Sequence, residues 1–228
     1  MDLLEQLQDC SWYRRQPADL RTAIAREGRV VTLDAGQTAY LEGDEDTGLW
    51  IVLDGEVRLH MSTGEDASAL FAIANPGTLF GRSRVGGADA RVVTAVASEA
   101  SRALLLSDGA MERIAADQPL MWRALADALH SQLDGMIAAL GQMLLLPPRP
   151  RIAARLLALA RPTPQDASDT TRRVTVTQAA LAEMCGLSRK VVNGHLSVLE
   201  DAGAIERCYG EIHIRNAAAL RRLAGEGR

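Results

Sequence analysis

The chain has 228 residues and a net charge of -4, which suits two modest domains of about 100 to 150 residues each rather than one large one. It lacks the roughly 18 uninterrupted apolar residues that a membrane helix needs. Its acidic start, MDLLEQLQDC, also differs from the basic-then-apolar pattern of a signal peptide, so a cytoplasmic location is expected. The charge is unevenly spread: residues 1–148 balance to -9 and residues 149–228 to +5. A positive C-terminal part can meet phosphate while an acidic N-terminal part stays off it.

Residues 3–27 read as short helices, with Leu3, Leu4 and Leu7, then Leu20 and Ile24, at helical spacing and Pro17 at a helix start. From Arg29 short apolar runs are cut by Asp-Ala-Gly at 34–36, Glu-Gly-Asp at 42–44, Asp-Gly at 54–55, Ser-Thr-Gly at 62–64 and Asn-Pro-Gly at 75–77. That punctuation predicts a compact antiparallel sheet. LWIVLDGEVRLHM is expected to form a hairpin with a tight turn at Asp54-Gly55, and 91–97 and 101–106 to be the closing strands. His60 is expected to be an ordinary strand residue, because no second ligand lies at a metal-binding spacing. Cys10, Cys185 and Cys208 are too far apart for a disulfide framework or a CxxC metal site.

After residue 107 the pattern turns helical. From Pro119 to Leu146, Trp122, Ala126, Leu129, Leu133, Met136, Leu140 and Met143 alternate spacings of four and three, a heptad seam that predicts a coiled-coil partner, most simply a second copy. The interface residues are taken as Trp122, Leu129, Leu133, Met136, Leu140 and Met143. Pro147, Pro148 and Pro150 end this helix. The expected division is 1–118, a β sensor domain with flanking helices; 119–146, the central helix; and 149–228, a C-terminal domain.

That last part holds a helix at 151–160, the polar loop RPTPQDASDTTRR, a helix near 178–184, the turn Cys185-Gly186-Leu187, and a second helix opened by Ser188 as N-cap. Ala182, Gly186 and Val192 fall where two helices crossing around a left-handed turn need small, glycine and apolar residues. Val192, Leu196 and Leu199 are expected to be buried, leaving Arg189, Lys190, Asn193 and Ser197 to read base edges in a major groove. A β-hairpin wing follows at Ile205–Arg207, Tyr209-Gly210 and Ile212–Ile214. Arg172, Arg173, Ser188 and Arg207 are the phosphate candidates. No nucleophile elbow, P-loop, metal-ligand pair or paired acid and base is found, so no enzyme is expected.

The whole chain resembles the cyclic-AMP receptor protein and fumarate-nitrate regulator (CRP/FNR) superfamily of bacterial transcription factors. LDAGQTAYLEGDEDTGLWIVLDGEVRL, FGRSRVGGADARVVTAVA, the long central helix and LAEMCGLSRKVVNGHLSVLEDAGAIE carry the resemblance. It implies an α+β fold: a cyclic-nucleotide-binding-like β-roll (jelly roll), a dimerisation helix and a winged helix-turn-helix. It also implies a homodimer on near-palindromic double-stranded DNA, contact with RNA polymerase if the protein is an activator, and an effector pocket at Gly81, Arg82, Ser83, Arg91, Val92, Met136 and Ile137. Phe80-Gly81 and Arg91 match the nucleotide loop, but Arg82 stands where the family's ribose-binding Glu belongs and Val92 where its small hydroxyl residue belongs. Cyclic AMP itself is therefore not the expected ligand. Arg82, Arg84 and Arg91 together suit a more charged one such as a cyclic dinucleotide, or they face solvent or pair with acids. No iron-sulfur cluster or haem is expected. Lys190 and Gly194 also depart from the S-R-E-x-x-x-R reading pattern. The alternatives are a regulator that needs no ligand and a ligand-binding or tethering module that does not touch DNA.

Overall fold

The computed structural model describes residues 2–62, 68–87, 89–162, 172–208 and 210–225, the side chains of 161 and 162 excepted. The turn expected at 62–64, most of the polar loop 161–173 and Tyr209 of the wing turn lie outside these residues. The chain divides into two compact units, Met1–Gly135 and Met136–Arg228.

In the first unit the helices α1 (Leu3–Leu7), α2 (Ser11–Arg14) and α3 (Ala18–Glu27) precede the strands β1 (Arg29–Leu33), β2 (Thr38–Tyr40), β3 (Gly48–Asp54), β4 (Val57–Ser62), β5 (Ser68–Ala74), β6 (Leu79–Arg82), β7 (Thr94–Ala97) and β8 (Ser101–Ser107). Helix α4 (Asp108–Asp117) and the start of α5 (Leu120–Leu145) complete it. The strands form two antiparallel sheets, β1-β8-β3-β6 and β2-β7-β4-β5. Trp50, Val52, Phe80 and Ala103 of the first sheet share a core with Tyr40, Val57, Leu59, Ala95 and Ala97 of the second. The opposite face of the first sheet, through Leu49, Ile51, Leu53, Leu104 and Leu106, packs on the helices around Leu7, Ile24, Met111 and Met121. Both faces of β3 are thus covered, which is why LWIVL is apolar throughout instead of alternating.

The expected hairpin at 49–61 is not one. β3 pairs with β6 and β8, and β4 with β5 and β7, so Asp54-Gly55 carries the chain from one sheet to the other. Of the two, Gly55 alone has a positive φ, +79°. A Cβ there would lie 2.3 Å from Ser101 Oγ and 2.7 Å from the Ala100 carbonyl oxygen, so the corner needs glycine for close approach as well as for its backbone angle. Glu56, buried next to it, accepts from the Ser98 hydroxyl at 2.7 Å and from Arg58 Nε at 2.9 Å. A buried charge with two donors pins the corner.

The second unit holds the remainder of α5, then α6 (Pro148–Leu159), β9 (Arg161–Pro162), β10 (Arg172–Thr175), α7 (Gln178–Cys185), α8 (Arg189–Asp201), β11 (Ile205–Cys208), β12 (Glu211–Ile214) and α9 (Ala217–Ala224). The prolines start α6 earlier than expected: Pro147 is its N-cap and Pro148 its first residue, where a missing N–H costs nothing. Helix α6 buries Ile152, Ala153, Ala154 and Leu156 and packs against α7, α8 and α9. The strands make a sheet in the order β11-β12-β10-β9.

Candidate nucleic-acid interface

Helix α7 is capped by Thr177, whose hydroxyl accepts from Ala180 N at 3.1 Å, and ends at Gly186, whose φ is +62°. Leu187 N donates to the Ala182 carbonyl at 2.9 Å, which closes the turn. Ser188 then caps α8, accepting from Val191 N at 3.3 Å. Ala182 and Val192 are buried where the two helices cross, and Val192, Leu196 and Leu199 are each 0 % exposed. This is the expected helix-turn-helix.

The outward side of α8 differs in detail from the expected set. Arg189, Lys190, Val191, Gly194 and Val198 are exposed, whereas Asn193 and Ser197 are only partly so. Asn193 Oδ1 is buried and has no hydrogen-bond partner, so the amide edge that would pair with adenine faces partly into the fold. Gly194 sits on the exposed side, and a Cβ added there would meet nothing within 4 Å.

The wing pairs Cys208 with Glu211 and Arg207 with Ile212, leaving a two-residue connection. Arg207 is held by Glu200 of α8: its backbone N and Nε donate to the carboxylate at 2.8 and 2.7 Å, and Nη2 lies 2.5 Å from Oε2. These donors pull the Glu200 carboxyl below its usual range. Arg173, on β10, lies 3.7 Å from Glu211, and its side chain is half exposed. Arg172 precedes it on the same strand. Cys10 and Cys185 are buried and Cys208 exposed; burial pushes the Cys185 thiol up to about 11. Among the described residues no group of His, Cys, Asp or Glu could hold a metal ion, and no helix is long and apolar enough to cross a membrane.

In the first unit, β6 and the segment after it bring together Gly81, Arg82, Ser83 and Arg91. Arg91 is 4 % exposed. Its Nε donates to the Asp46 carbonyl at 3.0 Å, and Nη1 donates to those of Gly48 at 2.8 Å and Arg82 at 3.3 Å. The guanidinium carbon lies 4.0 Å from the centroid of the Tyr40 ring. Burial lowers the Arg91 pKa and pushes the Tyr40 phenol up to about 12. Ser83, also buried, donates to Asp108 at 2.7 Å. Arg84 is exposed and lies near Glu45, and Val92 is 47 % exposed. Met136 and Ile137 fall in the second unit, both exposed.

Residues 150–223 match a model of the Crp-like helix-turn-helix domain, and residues 30–118 a model of the cyclic nucleotide-binding domain. The chain is 25% identical over 203 residues to the CRP-like cAMP-activated global transcriptional regulator of Mycobacterium tuberculosis, covering 89% of this chain and 91% of that one. It is 27% identical over 189 residues to the cyclic AMP receptor protein of Thermus thermophilus, covering 83% and 85%. Among solved structures, FixK2 from Bradyrhizobium japonicum superposes with a TM-score of 0.74 at 18% identity, covering 86% of this chain and 96% of that one. The chain belongs to the CRP/FNR family of transcription regulators.

In a CRP/FNR frame the β-roll is the cyclic nucleotide-binding domain, and α7 and α8 with the wing are the DNA-binding head. Within that domain Arg91 is buried against this chain's own carbonyls, and Arg82 follows Gly81 at the end of β6. The spacing of Arg91 after Phe80-Gly81 was readable in the sequence; what the side chain touches was not.

Proposed function

We propose that the chain is a homodimeric, cytoplasmic, sequence-specific DNA-binding regulator. Its working parts are the β-roll domain (1–118), the dimerisation helix (119–146) and the winged head (149–228). The observation that carries this is the build of α8. Its inner side is sealed by Val192, Leu196 and Leu199, while Arg189 and Lys190 stand exposed at its N-terminal end, the end that enters a major groove in helix-turn-helix readers, and a wing follows the helix. Arg189 and Lys190 read base edges, with Asn193 and Ser197 on the flank of the same helix. Ser188, Arg172, Arg173 and Arg207 meet phosphate. Arg207 does so while tied to Glu200, which limits its contribution.

Dimerisation is proposed through Trp122, Leu129, Leu133, Met136, Leu140 and Met143. Trp122, Leu133, Met136, Leu140 and Met143 are each more than two-fifths exposed in the single chain, and apolar side chains at heptad spacing gain most by covering one another. The DNA site is then near-palindromic, and RNA polymerase is a partner if the protein activates. For the effector there are two readings: a cyclic nucleotide or cyclic dinucleotide at Gly81, Arg82, Ser83, Arg91, Val92, Met136 and Ile137, or no ligand. The burial of Arg91 favours the second.

The test is salt dependence. Phosphate contacts release counterions, so log K for a duplex should fall linearly with log salt, with a slope of about -5 to -9 for a dimer making roughly 6 to 10 such contacts. A flat or absent DNA affinity would leave the tethering module as the better reading.

A further inference from the structure

We infer that Arg91 is a structural brace inside the β-roll, tying Arg82 at the end of β6 to Asp46 and Gly48, so that the regulator binds DNA without a cyclic-nucleotide effector. The inference rests on the reading of the chain as a DNA-binding regulator for its functional consequence, but not for the brace itself.

Three observations converge. First, two of the three guanidinium nitrogens are committed: Nε donates to the Asp46 carbonyl and Nη1 to those of Gly48 and Arg82, each of which would be left without that donor if Arg91 turned outward to an anion. Second, it lies against the Tyr40 ring, which is itself buried and belongs to the aromatic group of Tyr40, Trp50 and Phe80, with centroids 6.2 to 6.3 Å apart. A cation on a ring face in a dry setting is held by the ring's negative face as well as by its hydrogen bonds. Third, Gly81 makes the room. A Cβ there would lie 2.6 Å from the Gly48 carbonyl oxygen and 3.0 Å from Arg91 Nη1, so the missing side chain is filled by the arginine, and the Gly-to-Arg pairing in the sequence is explained without a ligand.

Arg91 is 4 % exposed. An anion that took Nε or Nη1 would have to break these carbonyl bonds. The next residue, Val92, points out to solvent and supplies no hydroxyl.

The test titrates the full-length protein with cyclic AMP, cyclic GMP and cyclic di-GMP by calorimetry, each to millimolar concentration, and melts the wild type, Arg91→Met and Gly81→Ala. No saturable heat is expected from any nucleotide. Both variants should melt roughly 4 to 10 °C lower, because each breaks the same buried hydrogen-bonded group, and the DNA affinity of the wild type should not change on adding nucleotide. Saturable binding of any of the three by the wild type overturns the proposal, as does an Arg91→Met protein that melts with the wild type. If the variants do not fold, the wild-type titration alone decides. A protein that binds neither nucleotide nor DNA, with Arg91→Met melting low, supports the brace and sinks the regulator reading instead.

Discussion

Lys190 and Gly194 share the exposed side of α8. Lys190→Ala removes a side chain suited to a guanine edge and should cost about 1–3 kcal/mol of DNA affinity while relaxing the base preference at one position of the site. Competition binding against single-base variants of that site measures both effects. Gly194→Ala separates folding from reading. Open space surrounds the new methyl group, and alanine is about 1 kcal/mol better than glycine within a helix. The melting temperature should therefore rise by about 2–4 °C, while DNA affinity falls if the bare backbone lies against the groove. A thermal melt and a binding isotherm on the same variant check the two signs. At this scale the sequence was only partly legible. Arg189, Asn193 and Ser197 follow one another at four-residue spacing, and Arg189 is exposed because it lies at the helix end. Further along the same line Asn193 and Ser197 run beside the buried edge of Val192 and Leu196, which spacing alone does not resolve.

Among the elements, helix, turn, helix and wing were all readable, because the Thr177 and Ser188 caps and the Gly186 turn are local chemistry. Helix α9 went unread although Asn216 caps its start, accepting from Ala219 N at 2.9 Å, and Gly225, φ +80°, ends it. The Asp54-Gly55 corner was misread for a different reason. A turn signal states that the chain reverses, but which strand each arm pairs with is fixed by the packing of Gly55 on Ser101. The wing depends on a titratable contact. The folded-state pKa of Glu200 is lowered by Arg207, so its stabilisation is fully present above the unfolded carboxyl's pKa and is lost as the pH falls through the lower folded value. DNA binding should thus be insensitive to Glu200 between pH 6 and pH 8, and the wing amides should lose hydrogen-exchange protection only in acid, below the ordinary carboxyl value of 4.5. Loss of wing protection near neutral pH would show that the contact does not hold the wing.

For the whole molecule, the strand pattern and the heptad seam pointed to an antiparallel sheet domain and a long helix, the resemblance implied a β-roll and a winged head, and the family matches agree with the two domains. The commitment of Arg91 to three carbonyls could not be read, because it depends on contacts among residues as distant in sequence as Asp46 and Arg91. The proposed dimer is testable on the seam. Leu133→Asp with Leu140→Asp places charges where each leucine would contribute about 1.5–3 kcal/mol when covered. The double variant should sediment as a folded monomer and bind DNA far more weakly than the parent; a double variant that stays dimeric would move the interface elsewhere.

The central claim, that this chain reads DNA sequence through α8, is tested most directly by selecting duplexes from a random pool with the purified protein, no nucleotide added, and titrating the enriched site against a scrambled one by fluorescence anisotropy at near-physiological salt. The account predicts a near-palindromic site with half-sites about one helical turn apart, bound about 1,000-fold more tightly than the scrambled duplex. Equal affinity for the two, or a pool that never enriches, would contradict it.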